Sequence, residues 1–334
     1  MSIIDKIKER AKKYKVKIVL PEYMDSRVMK AISIALREDI CDIIIVGNRD
    51  DFSYVDDIIL KKAEIIDPIN NDLTDKLVNY LFELRKNKGL SYDEAKKLIY
   101  SDYIYFACLL VKMGYADGVV SGACHSSADT IRPALQIIKT NSDTKLVSSF
   151  FLMETINSSY GSDGIFLFAD AGLNQSPDAL ALSYIARDTA NSFSKLIKKD
   201  PKVAMLSHST KGSANHPDVL KVREATKLAI KNFPNLVIDG ELQLDAAIVP
   251  EVAKIKCPDS VLKGRANVLI FPNLDSANIG YKLVERLGNA NAYGPICQGL
   301  NNPVNDLSRG ANVNDIVGVI AITALQAQEK IEIL

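Results

Sequence analysis

Neither sign of charge is in excess, since 41 lysines and arginines stand against 41 aspartates and glutamates. That balance removes any global electrostatic reason to expect nucleic acid or an acidic membrane surface as a partner, so an anionic ligand must be met by local arginines. Cysteine is scarce: Cys41, Cys108, Cys124, Cys257 and Cys297 are odd in number and widely spaced, with no CxxC pair. This argues against a disulfide framework or a zinc site and fits a reducing cytoplasm. No apolar run is long enough to span a bilayer. The first fourteen residues place Ile3, Ile4, Ile7 and Ala11 at helical spacing among many charges, which reads as a surface helix and not a signal peptide. GxGxxG after the first strand, HExxH and GxSxG are all missing. Nicotinamide binding by the common fingerprint, zinc proteolysis and the common esterase elbow therefore lose support.

What is present is enough apolar material for more than one core. A chain of 334 residues that is 47% hydrophobic makes two domains the default expectation. Val16 to Leu20 reads as a strand ended by Pro21, Arg27 to Arg37 as a helix, and Asp42 to Val46 as a second strand; together they are a βαβ unit of a parallel sheet. The alternation continues through helices over Asp72 to Lys86 and Tyr92 to Tyr115, a strand at Gly118 to Val120 and a helix over Ile131 to Ile138. From about Lys145 it begins again, with strands at Leu146 to Leu152, Ile165 to Phe168, Val203 to Ser207, Leu236 to Ile238 and Val268 to Ile270. Ser176 is read as the N-cap of a helix with Pro177 at its first position. The last helix, Val313 to Lys330, carries Val313, Ile316, Val317, Ile320, Ala324 and Leu325 on one face and could return to the first layer. Close packing of the two layers would make the cleft between them the natural ligand site.

Several loops after strands concentrate small polar residues, where open α/β sheets bind ligands. In Ser121 to Arg132 the amides and hydroxyls, among them those of Ser127 and Thr130, suit an anion with Arg132 as charge partner; a purely structural loop is about equally expected. His125 alone carries little weight. Asp170 and Asn174 could orient a substrate, though turn chemistry explains both. Ser207 to Pro217 resembles a phosphate cradle with Lys211, but it is not a Walker motif. Asp239, Glu241 and Asp245 could invite a divalent metal, with capping and surface ion pairs the stronger reading. The segment Gly294 to Gly310 reads as a turn-rich loop bearing Ser308 and Arg309, with Asp315 on the first turn of the last helix. A hydroxyl donor, a guanidinium and a proton acceptor in one short span make polar-group transfer chemically possible. Asn312 and Asp315 could equally form a capping box, with Arg309 an ordinary loop cation.

Five segments together resemble the phosphate acetyltransferase (phosphotransacetylase) family over nearly the whole chain. They are Ser121 to Gln136, Lys211 to Pro217, Asp239 to Glu251, Asn278 to Tyr281, and Gly294 to Gly310. The resemblance implies two α/β/α domains with mainly parallel sheets and an interdomain active-site cleft, related to the isocitrate and isopropylmalate dehydrogenase fold, and a homodimer. The first domain would be discontinuous, 1–144 plus 303–334, with 145–302 as the second. The implied reaction is acetyl-CoA plus phosphate giving CoA plus acetyl phosphate, with CoA a co-substrate and no metal or other cofactor required. Family roles carried to matching positions make Asp315 the base for the CoA thiol, Ser308 a donor to the developing oxyanion and Arg309 a binder of acetyl phosphate. Arg85 and Arg132 match further substrate-binding arginines; Ser127, Thr130 and Lys211 complete the expected substrate-binding set. Relatives often have cysteine where Ala171 stands, so an acyl-cysteine at that position cannot operate here and direct transfer is favoured. The rival readings are a phosphate butyryltransferase-like enzyme, a metal-dependent hydroxyacid dehydrogenase of related fold, and a regulatory or oligomerisation module.

Overall fold

Ile18, Val19 and Leu20 are all completely buried, so this short run cannot lie at a wetted face; it forms a central strand of a parallel sheet. In the computed structural model, which describes residues 1–52 and 56–331, the chain opens with α1 (Ile3–Ala11), β1 (Lys17–Leu20), α2 (Ser26–Arg37), β2 (Asp42–Val46), α3 (Asp57–Lys62) and β3 (Glu64–Ile66). It continues through α4 (Thr74–Arg85), α5 (Tyr92–Ser101), α6 (Tyr103–Lys112), β4 (Gly118–Ser121) and α7 (Ser127–Pro133). Then come β5 (Ser148–Glu154), β6 (Ile165–Ala169), α8 (Ala179–Ile197), β7 (Val203–Leu206), α9 (Pro217–Asn232), β8 (Ile238–Leu242), α10 (Leu244–Ile248), α11 (Pro250–Lys256), β9 (Val268–Ile270), α12 (Leu274–Leu287) and β10 (Asn291–Gln298). β11 (Val304–Asp306) and α13 (Val313–Ile331) close the chain. Two compact units result, Met1–Thr140 with Leu300–Leu334, and Asn141–Gly299.

The first unit holds a five-stranded sheet in the order β11-β4-β1-β2-β3, with every pairing parallel. α13 lies against this sheet and against α1 and α2. Its predicted apolar face is buried at Ile316, Val317, Ile320, Ala324 and Leu325, but so are Val319, Ala321, Ile322 and Ala327, because it is covered on nearly its whole circumference. Gln328 Nε2 donates to Ala11 O at 2.5 Å and to Tyr14 O at 2.5 Å, fastening its far end to α1. The second unit holds a six-stranded sheet, β10-β5-β6-β9-β7-β8, in which β5 runs antiparallel to both neighbours and the other pairings are parallel. The fold is thus α/β with two mainly parallel sheets.

Four readings need correction. The predicted helix Tyr92 to Tyr115 is two helices, because Asp102 takes an extended conformation and its carboxylate caps the second through Ile104 N and Tyr105 N. The helix expected over Ile131 to Ile138 starts earlier, at Ser127, and finishes as a π turn over Ala134–Ile138 beyond Pro133. The N-cap before α8 is Asp178, which accepts from Ala181 N at 2.7 Å, and not Ser176. The segment Gly294 to Gly310 contains two stretches of strand rather than one loop: β10 accommodates Gly294 and Pro295 at an irregularity between Tyr293 and Ile296, and β11 is polar because Asn305 bonds Thr323 and Gln326 on α13.

Strand order in the first sheet runs outward in opposite directions from the boundary between β1 and β4, the kind of position where loops diverge and leave a crevice. Here the loops are held by a carboxylate. Glu22, just after β1 and 5% exposed, accepts from Gly122 N at 2.8 Å, Ala123 N at 2.8 Å and Cys124 N at 2.9 Å, and meets His125 Nδ1 at 2.6 Å. The second unit repeats the device. Buried Asp170 receives the amides of Gly172, Leu173 and Asn174, and buried Glu241 receives Gly212 N, Ser209 Oγ and Arg223. Loops that read as anion cradles are therefore closed around anions of the chain itself. Burial pushes Glu241 up, but the bonds from Arg223, Gly212 and Ser209 together outweigh it and hold its pKa at about 2.

Two outcomes follow from these clasps. Glu22→Gln places an amide NH₂ against backbone donors, and urea unfolding should show a loss of about 2–4 kcal/mol; an unchanged midpoint would mean the clasp contributes nothing. Because the folded pKa of Glu241 is depressed, its stabilisation is present above the ordinary 4.5 and lost as pH falls toward about 2. Glu241→Gln should flatten that part of the stability profile, read as unfolding midpoint against pH.

Candidate active site

At the carboxyl ends of β1, β4 and β11, Arg27 joins three loops. Its guanidinium pairs with Asp25 at 2.7 Å and donates to Arg309 O at 2.8 Å, Ala311 O at 2.9 Å and Ala123 O at 3.0 Å. Backbone carbonyls at these loop ends have no strand partner, and one planar fork serves all three. The Arg27 guanidinium holds the Asp25 carboxyl down at about 2, so the clamp is ionised at any ordinary pH. Neither Arg27 nor Glu22 stood out as a site residue in the sequence; the available signals were a Pro-Glu pair directly after a strand and an arginine in the first turn of the next helix.

The clamp fixes the loop that carries three nominated residues. Ser308 is half-buried, and its Oγ accepts from Gly310 N at 3.3 Å, which leaves the hydroxyl proton available to another acceptor. Arg309 is exposed, its own carbonyl taken by Arg27. Asp315 and Asn312 form the capping box, with Asn312 N donating to Asp315 Oδ2 at 2.8 Å and Asp315 N to Asn312 Oδ1 at 3.0 Å. A carboxylate has about four lone-pair sites, so capping is compatible with accepting a proton. The box also fixes where the carboxylate sits, in the first turn of α13.

Ser127 opens α7 beside this loop, and its Oγ donates to Asp306 Oδ2 at 2.5 Å. Thr130, one turn on in α7, is fully buried and its side chain acts on Asp306 as well. Arg132 is exposed and lies 3.6 Å from Asp129; Arg85, at the end of α4, and Arg132 both act electrostatically on Tyr105, so the structure brings these two arginines to one neighbourhood. Burial, helped by the charge of Glu22, pushes the Cys124 thiol up to about 11. A thiol held there is a poor nucleophile near neutrality.

Lys211 belongs to the second unit, where its Nζ pairs with Asp239. Asp245 pairs with Lys256 at 2.7 Å and Glu241 with Arg223 at 3.1 Å. The three carboxylates read as a possible metal set thus each face a cation of the chain, and among the described residues no group of metal-ligating side chains forms. Ala171, in the loop after β6, is buried in a core with Phe151, Phe168 and Tyr281.

Comparison with known proteins places this arrangement among acyl-transferring enzymes. A family described as "Phosphate acetyl/butaryl transferase" matches residues 2–324. The phosphate acetyltransferase of Thermoanaerobacterium thermosaccharolyticum is 55% identical over 329 residues, covering 98% of this chain and 100% of that protein. That of Acetivibrio thermocellus is 52% identical, covering 98% and 99%. The crystal structure of a phosphotransacetylase from Streptococcus pyogenes superposes with a TM-score of 0.89 at 45% identity, covering 98% of each chain. On these matches the chain belongs to the phosphate acetyl/butyryl transferase family.

Proposed function

We propose that the segment from Ser308 to Asp315 carries out reversible acetyl transfer between CoA and inorganic phosphate, the activity named for relatives 55% identical over 98% of the chain. The observation that carries the assignment of roles is the fixed loop between β11 and α13, in which a hydroxyl, a guanidinium and a carboxylate are held by the Arg27 clamp and the Asn312–Asp315 box. In the direction of thioester synthesis, Asp315 accepts the proton of the CoA thiol. The sulfur attacks the acetyl carbonyl carbon, the C–S bond forms as the bond to the phosphate oxygen breaks, and Ser308 donates a hydrogen bond to the carbonyl oxygen as it gains charge. Arg309 balances the acyl phosphate and the departing phosphate, with Ser127, Arg132, Arg85 and Lys211 in supporting contacts to the substrates.

A free thiol has a pKa of about 8.5, so only a few per cent is thiolate near neutrality and a base is useful. Direct transfer needs both substrates bound at once, which adds the proximity term. The chemistry calls for no metal or redox cofactor because CoA is itself the co-substrate. The reading extends to a cytoplasmic homodimer: all five cysteines are free thiols, no helix among the described residues is long and apolar enough to cross a membrane, and Ile279, Leu283 and Leu287 leave one face of α12 apolar and exposed. Equilibrium sedimentation tests the dimer.

Thioester formation from acetyl phosphate and CoA, followed by ultraviolet absorbance, tests the site. Asp315→Asn is expected to lower kcat by about 10²–10⁴-fold with the fold kept, and Ser308→Ala by about 10²–10³-fold. Arg309→Ala should also raise KM for acetyl phosphate. Wild-type turnover in Asp315→Asn would remove the assigned base, and faster transfer from butyryl phosphate would move the substrate to the longer acyl group.

A further inference from the structure

One carboxyl group in this region is used by none of the steps above. Asp306 ends β11 and is completely buried. One of its oxygens, Oδ2, receives the Ser127 hydroxyl at 2.5 Å; the other, Oδ1, makes no hydrogen bond of full geometry, nor do Thr130 Oγ1 and Ser121 Oγ, although Thr130 and the Leu307 amide lie near enough to favour the ionised carboxyl. Ser121 is the register partner of Asp306 on β4, so their side chains leave the sheet on the same face. Gly122, at φ +111, is shaped to this carboxylate: a Cβ there would lie 2.1 Å from Asp306 Oδ1. Two residues later the chain reaches Ser308. The group is therefore enclosed, and it touches the half-buried Ser127 from within.

We propose that Asp306 is a positioning residue that sets the hydrogen-bond polarity of Ser127 and takes up a proton when the acyl phosphate binds. The inference rests on the acetyl-transfer reading above and deepens it. A hydroxyl has one proton. When Asp306 is ionised, Ser127 directs that proton inward to Oδ2 and offers only lone pairs to a ligand. When Asp306 is protonated, its O–H donates to Ser127 Oγ, and the Ser127 proton turns outward to a phosphate oxygen. One solvent proton is taken up, no covalent bond in the protein changes, and an anion held outside favours the protonated acid inside.

The surroundings suit a group that changes state near neutrality. Burial is the main cause pushing Asp306 up to about 6, against bonds from Ser127, Thr130 and the Leu307 amide, with Glu22 adding in the same direction as burial. The other charged groups on the packed elements are His125 on Glu22, the exposed Asp129 and Arg132 of α7, the Arg27–Asp25 clamp, Arg309, and Asp315 at the head of α13.

The test is KM for acetyl phosphate against pH in wild type, Asp306→Asn and Ser127→Ala, with folding checked by circular dichroism. If only the protonated acid supports tight binding, wild-type KM rises roughly tenfold between about pH 6 and about pH 7.5. Asp306→Asn carries a permanent N–H donor toward Ser127, so its KM should stay low and flat over that range, while Ser127→Ala should be high and flat. Ionisation of acetyl phosphate itself is common to all three and cancels in the comparison. Ser127→Ala leaves the buried strand untouched, so it reads the proposal even where Asp306→Asn folds poorly. The same pH dependence in wild type and either variant would overturn the proposal. That result leaves the acetyl-transfer reading intact, which fails separately if wild type makes no thioester.

Discussion

Everything at the candidate site depends on a buried carboxylate being fully satisfied. Glu22 leaves water only because three successive amides and an imidazole replace its hydration, and an ion buried without such partners would cost several kcal/mol. The same bonds determine the course of the loop after β4, since the three N–H groups must converge on one point. With that loop fixed, Ala123 O lies where Arg27 can reach it, and Arg27 in turn reaches Arg309 O and Ala311 O. The position of Ser308 and Arg309 is thus inherited, through two ionic groups, from a residue on a different strand.

The hydrogen-bond accounts also separate support from chemistry. Glu22, Asp25, Asp170 and Glu241 are each engaged by the chain. Such groups hold backbone. The groups that face outward from that support include the half-buried Ser308 hydroxyl and the exposed Arg309 fork. With Asp315 they lie on one span of eight residues, joining the end of the first sheet to the head of α13.

The sequence displayed the elements whose causes are local. Asp42 to Val46 and Val268 to Ile270 were legible to the residue because an apolar run between turns can only be a buried strand. β10 and β11 were not, since Gly294, Pro295, Asn305 and Asp306 carry turn chemistry and become strand only through long-range pairing with β5 and β4. Asp102 looked like one polar residue within a helical pattern, yet it ends one helix and caps another. In the candidate site, Ser308, Arg309 and Asp315 could be named because a hydroxyl, a guanidinium and a carboxylate at close spacing are visible as residue types. Glu22, Arg27 and Asp306 could not, because their roles arise from burial and from backbone donors and carbonyls that a string of residue types does not display. The depth of Thr130 is likewise a tertiary property that the sequence does not display.

The interruption of the first unit has a consequence for how the protein comes into being. β11 pairs with β4, and α13 covers β1 and β4, across the entire length of the second unit. A chain emerging from the ribosome therefore makes four strands of the first sheet early, then must wait with one edge of β4 unpaired until its last segment is released. Contacts of such large sequence separation form slowly. The loop that carries Ser308 and Arg309 is therefore made only after the whole second unit, so the proposed site cannot be completed before both cores have been synthesised.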